Sequence, residues 1–430
     1  MKKSFPYRKT FLLGFGFLGI SIVWPIFNQF IPIFLQAGNP EFERQLLEAG
    51  QEVPKIVGFG LAPALAMFIM TWDNIINVFV SPLVGERSDR TWTRLGRRKP
   101  WIILGAPIAL LGFVLIPIAQ SILAIAVFIL ITNIGMSLFR SPTIAWLGDL
   151  FEPDDRSKAN GVINLMGGVG GLLAFFGGGM LFNSFGREAP FAAGAIAMTV
   201  ALVVVLVYVK EPRNIASENT ASVGVLANLT TVFRKSDKSG LFVLISILFW
   251  FMAFNALETA LSSFAVFTLG ISPGTASIYS GSVTVSFILF AVPAGLLGTK
   301  MGRRLPIMLG LAGLTLLMVF GYFFIQGAVV FVVVLVLAGA CWAMVNVNSL
   351  PLVYDYGDEA RIGAYTGLYY FASQSAAILG PTLGGGFVEA MGSQYRFMWL
   401  FSMVFMALAY LTMTRVKVIR KAPLQGQVVG

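Results

Sequence analysis

Long apolar stretches alternate with short polar connections along this chain of 430 residues. Each stretch can cross a bilayer as an α-helix, because about 20 residues span roughly 30 Å of hydrocarbon. A soluble core cannot absorb twelve such stretches, so the sequence predicts an all-α membrane protein with twelve transmembrane helices. The predicted spans are residues 10–36, 57–85, 100–119, 122–147, 158–183, 190–209, 240–269, 274–299, 304–323, 328–353, 361–390 and 395–415.

One long polar interruption, residues 210–239, lies between the sixth and seventh spans. It divides the spans into two sets of six and has the composition of a linker. We therefore predict an N-terminal six-helix bundle at 1–209, a cytoplasmic linker at 210–239, and a C-terminal six-helix bundle with a cytoplasmic tail at 240–430. The first span is too long for a signal peptide, and no small-residue cleavage site follows it.

The basic residues are distributed unevenly between the two sides of the predicted bundle. With the N-terminus inside, 25 of the 30 Lys and Arg residues fall in inner segments and four in outer ones. This positive-inside bias predicts a multi-pass protein of the cell membrane, of the bacterial inner-membrane type, with both termini in the cytoplasm. The net charge of +10 is explained by these short loops, so we expect a lipid bilayer and no nucleic acid as partner.

The composition also limits the chemistry. Only 12% of the residues are charged, against about 25% in soluble domains. The chain has no histidine, and Cys341 is its only cysteine, so neither an internal disulfide nor a cysteine or histidine metal site can form. It lacks a nucleophile–base set and a phosphate-binding loop. We expect no enzymatic activity and no resident cofactor or metal.

The two halves carry matching motifs, which is typical of transporters built from internal repeats. A Pro-to-Gly-Arg-Arg segment follows span two at residues 82–98 and recurs after span eight at 293–304. A proline followed six and seven residues later by Gly-Asp occurs at 142–149 and again at 351–358. Spans five and eleven also share a glycine triplet that suits close helix packing, at 177–179 and 384–386.

The loop after span two reads Pro-Leu-Val-Gly at 82–85, Ser-Asp-Arg at 88–90 and Leu-Gly-Arg-Arg-Lys-Pro at 95–100. In these motifs the chain resembles the major facilitator superfamily, and within it the glycoside-pentoside-hexuronide:cation symporter branch of the melibiose permease and the sucrose transporters. The resemblance covers nearly the whole chain. It implies the major facilitator fold, with two pseudo-symmetric six-helix halves.

The sequence departs from that branch at charged positions. Where sucrose transporters place an arginine after the span-four proline, this chain has Ile144, and Arg140 lies one helical turn earlier. Where melibiose permease has acidic residues in span two, this chain has Asn77 and Ser81, and Asp73 lies another turn away. These departures concern the residues that define solute and coupling ion.

Three charged residues fall within apolar spans: Asp73, Arg140 and Glu258. A charge at mid-bilayer costs about 2.5–3.5 kcal/mol, so we expect all three to face the bundle interior. We predict that they couple transport to H⁺ or Na⁺, with Arg140 pairing with Asp73 and tuning its proton affinity. A structural salt bridge, or for Glu258 an interhelical pairing, remains the alternative.

Polar and aromatic residues within the spans are candidates for binding a sugar, which needs several hydrogen bonds and flat apolar faces. Interhelical hydrogen bonding is the alternative for each one alone. The candidates are Trp24, Asn28, Gln29, Asn77, Asn133, Asn255, Asn346, Asn348, Tyr369, Tyr370 and Gln374.

In the resembling superfamily, the motif after span two ties helix ends together when the transporter faces outward. The resemblance therefore implies a cytoplasmic gate of charge-assisted hydrogen bonds. Basic loops that only fix topology are the alternative for the arginines. The predicted gate residues are Gly85, Asp89, Arg90, Gly96, Arg97, Arg98, Asp149, Arg156, Asp358 and Arg361.

The function that this sequence predicts is cation-coupled, preferentially proton-coupled, symport of a sugar such as sucrose or another oligosaccharide, by alternating access in a monomer. Two alternatives stay open, an uncoupled sugar facilitator and a transporter of a lipid or organic ion. A channel or receptor would not explain the two-half repeat.

Overall fold

The computed structural model describes residues 5–212, 238–356 and 362–417, and these residues fold into helices without strands. Eleven helices are long and apolar enough to cross a membrane. The twelfth long helix, α11, has 29 residues and is richer in small and hydroxyl-bearing residues. The twelve helices are α1 Tyr7–Gln36, α2 Pro63–Arg90, α3 Lys99–Ile118, α4 Ile122–Leu150, α5 Lys158–Phe185, α6 Glu188–Tyr208, α7 Ser239–Phe267, α8 Pro273–Met301, α9 Arg304–Phe324, α10 Ala328–Tyr356, α11 Ile362–Ala390 and α12 Phe397–Thr414.

The predicted all-α architecture is confirmed, with one boundary misplaced by six residues. The second span was expected to start at residue 57, but α2 begins at Pro63. Residues 57–62 are not helical, and the backbone N–H groups of Phe59 and Leu61 donate to the end of α1 at 3.1 and 2.8 Å. Gly60 has a φ of +64° and thus a conformation that ends regular helix, whereas Pro63 suits the first helical turn.

Two of the spanning helices are irregular where they cross the bundle. In α2, Met70 and Thr71 separate the segment Pro63–Ile69 from the segment Trp72–Arg90. In α5, the residues Leu173–Gly177 form a π-helical turn. Such turns frequently occur at functional sites.

The helices enclose two buried hydrophobic cores. One core draws on α1 to α6, and the other draws mainly on α7 to α12. Large apolar side chains such as Leu123, Leu289 and Leu316 lie on the outer surface with 67–74% of their area exposed, as lipid-facing positions require. Where the halves meet, α1 packs on α7, α2 on α11, and α5 on α8.

We call the two ends of the bundle the cap side and the linker side. The cap side carries the short helix Pro40–Glu48 between α1 and α2. The linker side carries the end of α6 and the start of α7, between which residues 213–237 lie outside the described residues. The predicted domain boundaries at 209–210 and 239–240 therefore stay predictions.

Candidate functional site

A small polar pocket of about 60 Å³ lies between the two halves. The first half supplies residues of α1 and α2, and the second half supplies residues of α7 and α11. Two of the three predicted membrane-embedded charges meet here. The lining residues are Asn28, Met70, Asp73, Asn74, Asn255, Glu258, Thr259, Ala377 and Pro381.

The break in α2 explains why Asp73 lies in this pocket. The second helical segment starts at Trp72, so Asp73 occupies its first turn. There the free backbone N–H groups and the positive end of the helix dipole stabilise a carboxylate that would otherwise be costly inside a membrane. The side-chain amide of Asn74 donates to Asp73 Oδ1 at 2.8 Å.

Glu258 occupies the middle of α7, where its neighbours Ala256, Leu257 and Ala260 are buried. Its own side chain is exposed, although it lies deep in the bundle, because it faces the open space between the halves. The carboxylates of Glu258 and Asp73 are close enough to repel each other. Glu258 is the residue that the polar pocket shares with a second, larger cavity.

Arg140 lies half-buried on α4 and attracts Asp73 electrostatically. Within the described part of the chain, no carboxylate oxygen lies within the 4.0 Å of an ion pair with its guanidinium. Arg140 and Asp73 therefore interact electrostatically over a longer distance in this structure and do not form the predicted direct ion pair. The guanidinium remains available to a solute or to a closer approach of Asp73.

The larger cavity has a volume of about 270 Å³ and lies mostly in the second half. Most of its lining is apolar, and Trp342 stacks on Phe254 with ring centroids 3.9 Å apart. Gln29 of α1 is 97% buried and its Oε1 atom has no hydrogen-bond partner among the described residues. The polar lining residues are Gln29, Glu258, Ser280, Thr284 and Asn346, and the apolar ones are Phe175, Phe254, Leu257, Leu261, Val283, Phe287, Leu314, Met318, Leu335, Ala338, Trp342 and Trp399.

The structure divides the predicted binding residues into a first group, which lines one of the two cavities, and a second group, which lines neither. Asn28 and Asn255 line the polar pocket, and Gln29 and Asn346 line the larger cavity. The residues that line neither of these two cavities are Trp24, Asn77, Asn133, Asn348, Tyr369, Tyr370 and Gln374.

Several members of the second group make contacts within a half. The side-chain amide of Asn348 donates to the carbonyl of Ala294 in α8 at 3.1 Å. Tyr369 shares a hydrogen bond of 3.1 Å with Ser349, and Asn77 accepts one from Ser81. Asn133 is buried with both amide atoms unpartnered among the described residues, and Tyr370 is 55% exposed.

Sequence reasoning missed pocket residues that adjoin the predicted ones. Asn74 follows Asp73, and Thr259 follows Glu258, so chain proximity to a membrane-embedded charge was the available signal. Ser280 and Thr284 lie one turn apart on α8, but a small hydroxyl residue in an apolar span carries no distinctive pattern.

The predicted gate arginines lie on the linker side at the start of α3. Arg98 Nε donates to Asp149 Oδ2 at 2.8 Å, and Arg97 also pairs with Asp149. Asp89, on the last turn of α2, approaches Arg98 at 2.5 Å. Both arginines are at least 95% buried. This linker-side cluster, residues 89, 97, 98 and 149, ties α2, α3 and α4 together within the first half.

Glu211, at the start of the predicted linker, also belongs here and was not anticipated. Its carboxylate accepts the backbone N–H groups of Arg97 and Lys99 at 2.6 and 2.9 Å, and thereby caps the N-terminus of α3. Gly96 has a φ of +115°, and a Cβ there would lie 2.4 Å from Glu211 Oε2, so the turn requires glycine. The sequence did not indicate this role, because Glu211 falls within the polar stretch that was predicted to be a linker.

The second half contains a simpler counterpart. Arg303 donates to Asp355 at 2.6 Å and to the carbonyl of Pro351 at 2.8 Å. Gly302 has a positive φ of +82°, like Gly96 in the first copy. The predicted partners Asp358 and Arg361 lie outside the described residues. The two copies of the Gly-Arg-Arg motif therefore share a positive φ at their glycine as well as their sequence.

Three other predicted gate residues have local contacts. Arg90 pairs with Glu86 at 2.8 Å on an exposed helix surface. Arg156 donates to the carbonyls of Gly148 and Phe151 at 3.0 and 3.2 Å and so caps the end of α4. Gly85 lies where α2 passes close to α4.

On the cap side, hydrogen bonds join the two halves directly. Gln36 of α1 donates to Ser263 of α7 at 3.0 Å and accepts from the hydroxyl of Tyr395. All three residues are at least 99% buried. Phe42, from the short helix, stacks on Phe267 with ring centroids 4.7 Å apart. We call residues 36, 42, 263, 267 and 395 the cap-side contact.

Glycines allow backbones of the two halves to approach on the same side. A Cβ on Gly179 of α5 would lie 2.4 Å from the carbonyl oxygen of Gly274 in α8. A Cβ on Gly385 of α11 would lie 2.8 Å from the carbonyl oxygen of Pro63 in α2. Both glycines belong to the triplets that the sequence suggested for packing.

Sequence comparisons agree with this architecture. The family model described as Major Facilitator Superfamily matches residues 10–381 and 260–428. Sucrose transport protein SUC4 of Arabidopsis thaliana is 32% identical over 140 residues, which cover 28% of this chain and 28% of that protein. Proton-associated sugar transporter A of Mus musculus is 30% identical over 158 residues, which cover 33% of this chain and 21% of that protein. The chain thus spans less than a third of the length of these relatives.

Solved structures match over most of the chain. A mutant of the nucleoside transporter NupG superposes with a TM-score of 0.70 at 16% identity, covering 94% of this chain and 100% of that one. A bacterial homologue of the human lysosomal transporter Spinster, inward-facing and occupied, has a TM-score of 0.69 at 16% identity, covering 96% of this chain and 97% of that one. These identities support the fold alone. Because the family model covers most of its length, the chain belongs to the Major Facilitator Superfamily, a family of membrane transporters and not of enzymes.

Proposed function

We propose that this protein is a secondary transporter that carries a sugar together with a cation, preferentially a proton, by alternating access. The observation that carries the proposal is the position of Glu258, which lines both the polar pocket with Asp73 and the larger cavity. A single side chain can therefore respond to the coupling ion and to the solute. The names of the sucrose and proton-associated sugar transporters lend support.

In this proposal the polar pocket binds the cation. Asp73 and Glu258 repel each other, and a proton or Na⁺ between them relieves the repulsion. The amide and hydroxyl oxygens of Asn28, Asn255 and Thr259 are ligands that suit Na⁺ as well, so the ion must be tested directly. Arg140 attracts Asp73, and a closer approach would displace the cation when the solute has left.

The larger cavity binds the solute. Gln29 and Asn346 offer amides at its wall, and Glu258 accepts hydroxyl hydrogen bonds, while Trp342 provides a flat aromatic surface. These groups match the mixed surface of a sugar ring. In this proposal the protein alternates between a state that is closed by the cap-side contact and a state that is closed on the linker side. We place the linker side and both termini in the cytoplasm, on the basis of the basic residues there.

Uptake by proteoliposomes tests the proposal. A panel of radiolabelled sugars that includes sucrose is supplied with a pH gradient, with a Na⁺ gradient, or with neither. We expect wild-type protein to accumulate a sugar under a pH gradient, and Asp73→Asn and Glu258→Gln to lose accumulation while retaining downhill flux. Glu43→Gln removes a carboxylate on the exposed short helix and serves as the matched control.

The outcomes separate the alternatives. Unchanged gradient-driven accumulation in both variants would exclude Asp73 and Glu258 as coupling residues. Dependence on Na⁺ would assign the coupling ion, and wild-type uptake that ignores both gradients would make the protein a facilitator.

A second candidate solute is a lipid or an organic ion. The observation in its favour is the apolar lining of the larger cavity, which includes Leu257, Leu314 and Met318. If no sugar is taken up, amphipathic solutes should raise the temperature of thermal unfolding, and Leu314→Gln should reduce that effect.

A further inference from the structure

A groove on the linker side carries a concentration of positive charge that transport does not use. It has a volume of about 450 Å³ and lies where the start of α1 meets the end of α6. Three of its seven lining residues are cationic. The lining residues are Pro6, Arg8, Lys9, Leu12, Tyr208, Val209 and Lys210.

Among the described residues, no carboxylate forms an ion pair with the cations of this groove. Arg8 and Lys210 are exposed and form no ion pair with any described residue. Lys9 is fixed, since its Nζ donates to the carbonyl of Leu150 at 2.6 Å and lies 5.4 Å from the ring centroid of Phe151. No carboxylate of residues 5–212, 238–356 or 362–417 lines the groove. The neighbouring acid, Glu211, is directed to the start of α3.

The surface beside the groove is apolar and faces outward from the bundle. Tyr7, Phe11, Val207 and Tyr208 expose 47–62% of their areas. They belong to the first turns of α1 and the last turn of α6, which is the level where spanning helices enter the headgroup region. Cations next to lipid-facing side chains match a molecule with an anionic head and apolar tails.

We propose that this groove binds the phosphate headgroup of an anionic phospholipid. The guanidinium of Arg8 can donate two parallel hydrogen bonds to phosphate oxygens, and Lys9 and Lys210 act as point charges. The acyl chains lie against Leu12 and Phe11. Any basic residue near an anionic bilayer surface is attracted to it, and the groove adds a specific site to this general attraction. The proposal does not depend on which solute is transported.

The test uses the full-length protein in nanodiscs of phosphatidylcholine, with and without phosphatidylglycerol. We expect phosphatidylglycerol to raise the unfolding temperature of wild-type protein, and Arg8→Gln combined with Lys210→Gln to remove at least half of that rise. These two side chains make no contact that holds the described fold together, so the variant should fold. Native mass spectrometry should show fewer retained phosphatidylglycerol molecules.

The control variant combines Arg87→Gln with Arg94→Gln, which removes the same charge from exposed positions on the same side. It should keep the phosphatidylglycerol effect. An equal loss in both double variants would reduce the effect to net charge, and an intact effect in the groove variant would overturn the site. Inorganic phosphate added to phosphatidylcholine nanodiscs is the last arm. If it alone reproduces the stabilisation, the ligand is a soluble phosphate and the lipid assignment fails.

Discussion

The cap side and the linker side of the bundle hold their helices together by different interactions. On the cap side, the halves are joined through the neutral groups of Gln36, Ser263 and Tyr395 and through glycine contacts. On the linker side, the ion pairs formed between two described residues lie within one half, as in Arg98 with Asp149. The difference teaches that packing and neutral hydrogen bonds join the two halves on the cap side, whereas on the linker side charge organises helices within a half.

The largest effect on uptake should come from filling a glycine contact on the cap side. Gly385→Leu places carbon atoms against the backbone of Pro63 and Ala64, which cannot move aside as a flexible side chain would. Overpacking costs about 1–3 kcal/mol, which corresponds to a shift of about fivefold to 160-fold away from the closed cap side. Two measurements report this shift. One is the uptake rate, and the other is the accessibility of a cysteine placed at position 263 in a Cys341→Ala background to a thiol reagent.

The adjacent glycine provides the control for that substitution. A Cβ on Gly386 has no neighbour within 4 Å, so Gly386→Leu should leave uptake and labelling near their wild-type values. Equal impairment by both substitutions would show that helix propensity, and not contact between the halves, is responsible.

The next effect on uptake, and the largest effect on the free energy of unfolding, concerns the linker-side cluster. Asp149 is 9% exposed and pairs with both Arg97 and Arg98. Asp149→Asn leaves two buried arginines without their main carboxylate, and we expect a loss of about 3–5 kcal/mol in the free energy of unfolding. Asp89 is 49% exposed, so Asp89→Asn should cost at most about 1 kcal/mol.

Unfolding and uptake should separate the roles of those two carboxylates. Asp89→Asn should fold and insert but transport poorly, because Asp89 belongs to the predicted gate. Thermal unfolding in detergent reports the first property and proteoliposome uptake the second. Unimpaired uptake by Asp89→Asn would remove the gate assignment.

The smallest effect comes from a single hydrogen bond of the cap-side contact. Tyr395→Phe removes the donor to Gln36 and should cost about 1 kcal/mol. Burial raises the pKa of the Tyr395 hydroxyl above its unfolded value near 10. The bond therefore contributes fully below about pH 10 and is lost as the pH rises further. The difference in unfolding temperature between wild-type protein and Tyr395→Phe should not vary between pH 5 and 9, and a strong variation there would contradict this assignment.

Much of the architecture followed from the hydrophobic pattern, because lipid leaves few ways to satisfy a buried backbone. The position of α2 did not. The apolar residues 57–62 have the composition of a helix, but Gly60 interrupts the helix and Pro63 starts it, so residues 57–62 instead form backbone hydrogen bonds with the end of α1. A local pattern cannot reveal a backbone partner supplied by another helix.

The candidate site was predictable to the extent that charge inside a membrane is rare. Asp73 and Glu258 stand out in the sequence and come together in one pocket. Amides do not stand out in the same way, because the same side chain suits a cavity or an interhelical contact. Asn346 and Asn348 illustrate this, since one lines the larger cavity and the other bonds to Ala294.

The π-helical turn Leu173–Gly177 gives α5 one residue more than a regular helix of the same path would contain. Deleting a residue elsewhere in α5 would rotate all later positions by about 100° and carry Gly179 away from Gly274. A deletion inside the turn would instead convert it to regular α-helix and preserve the contact between Gly179 and Gly274. Among homologous proteins, we expect differences of one residue in the length of α5 to occur at this turn more often than elsewhere in the helix.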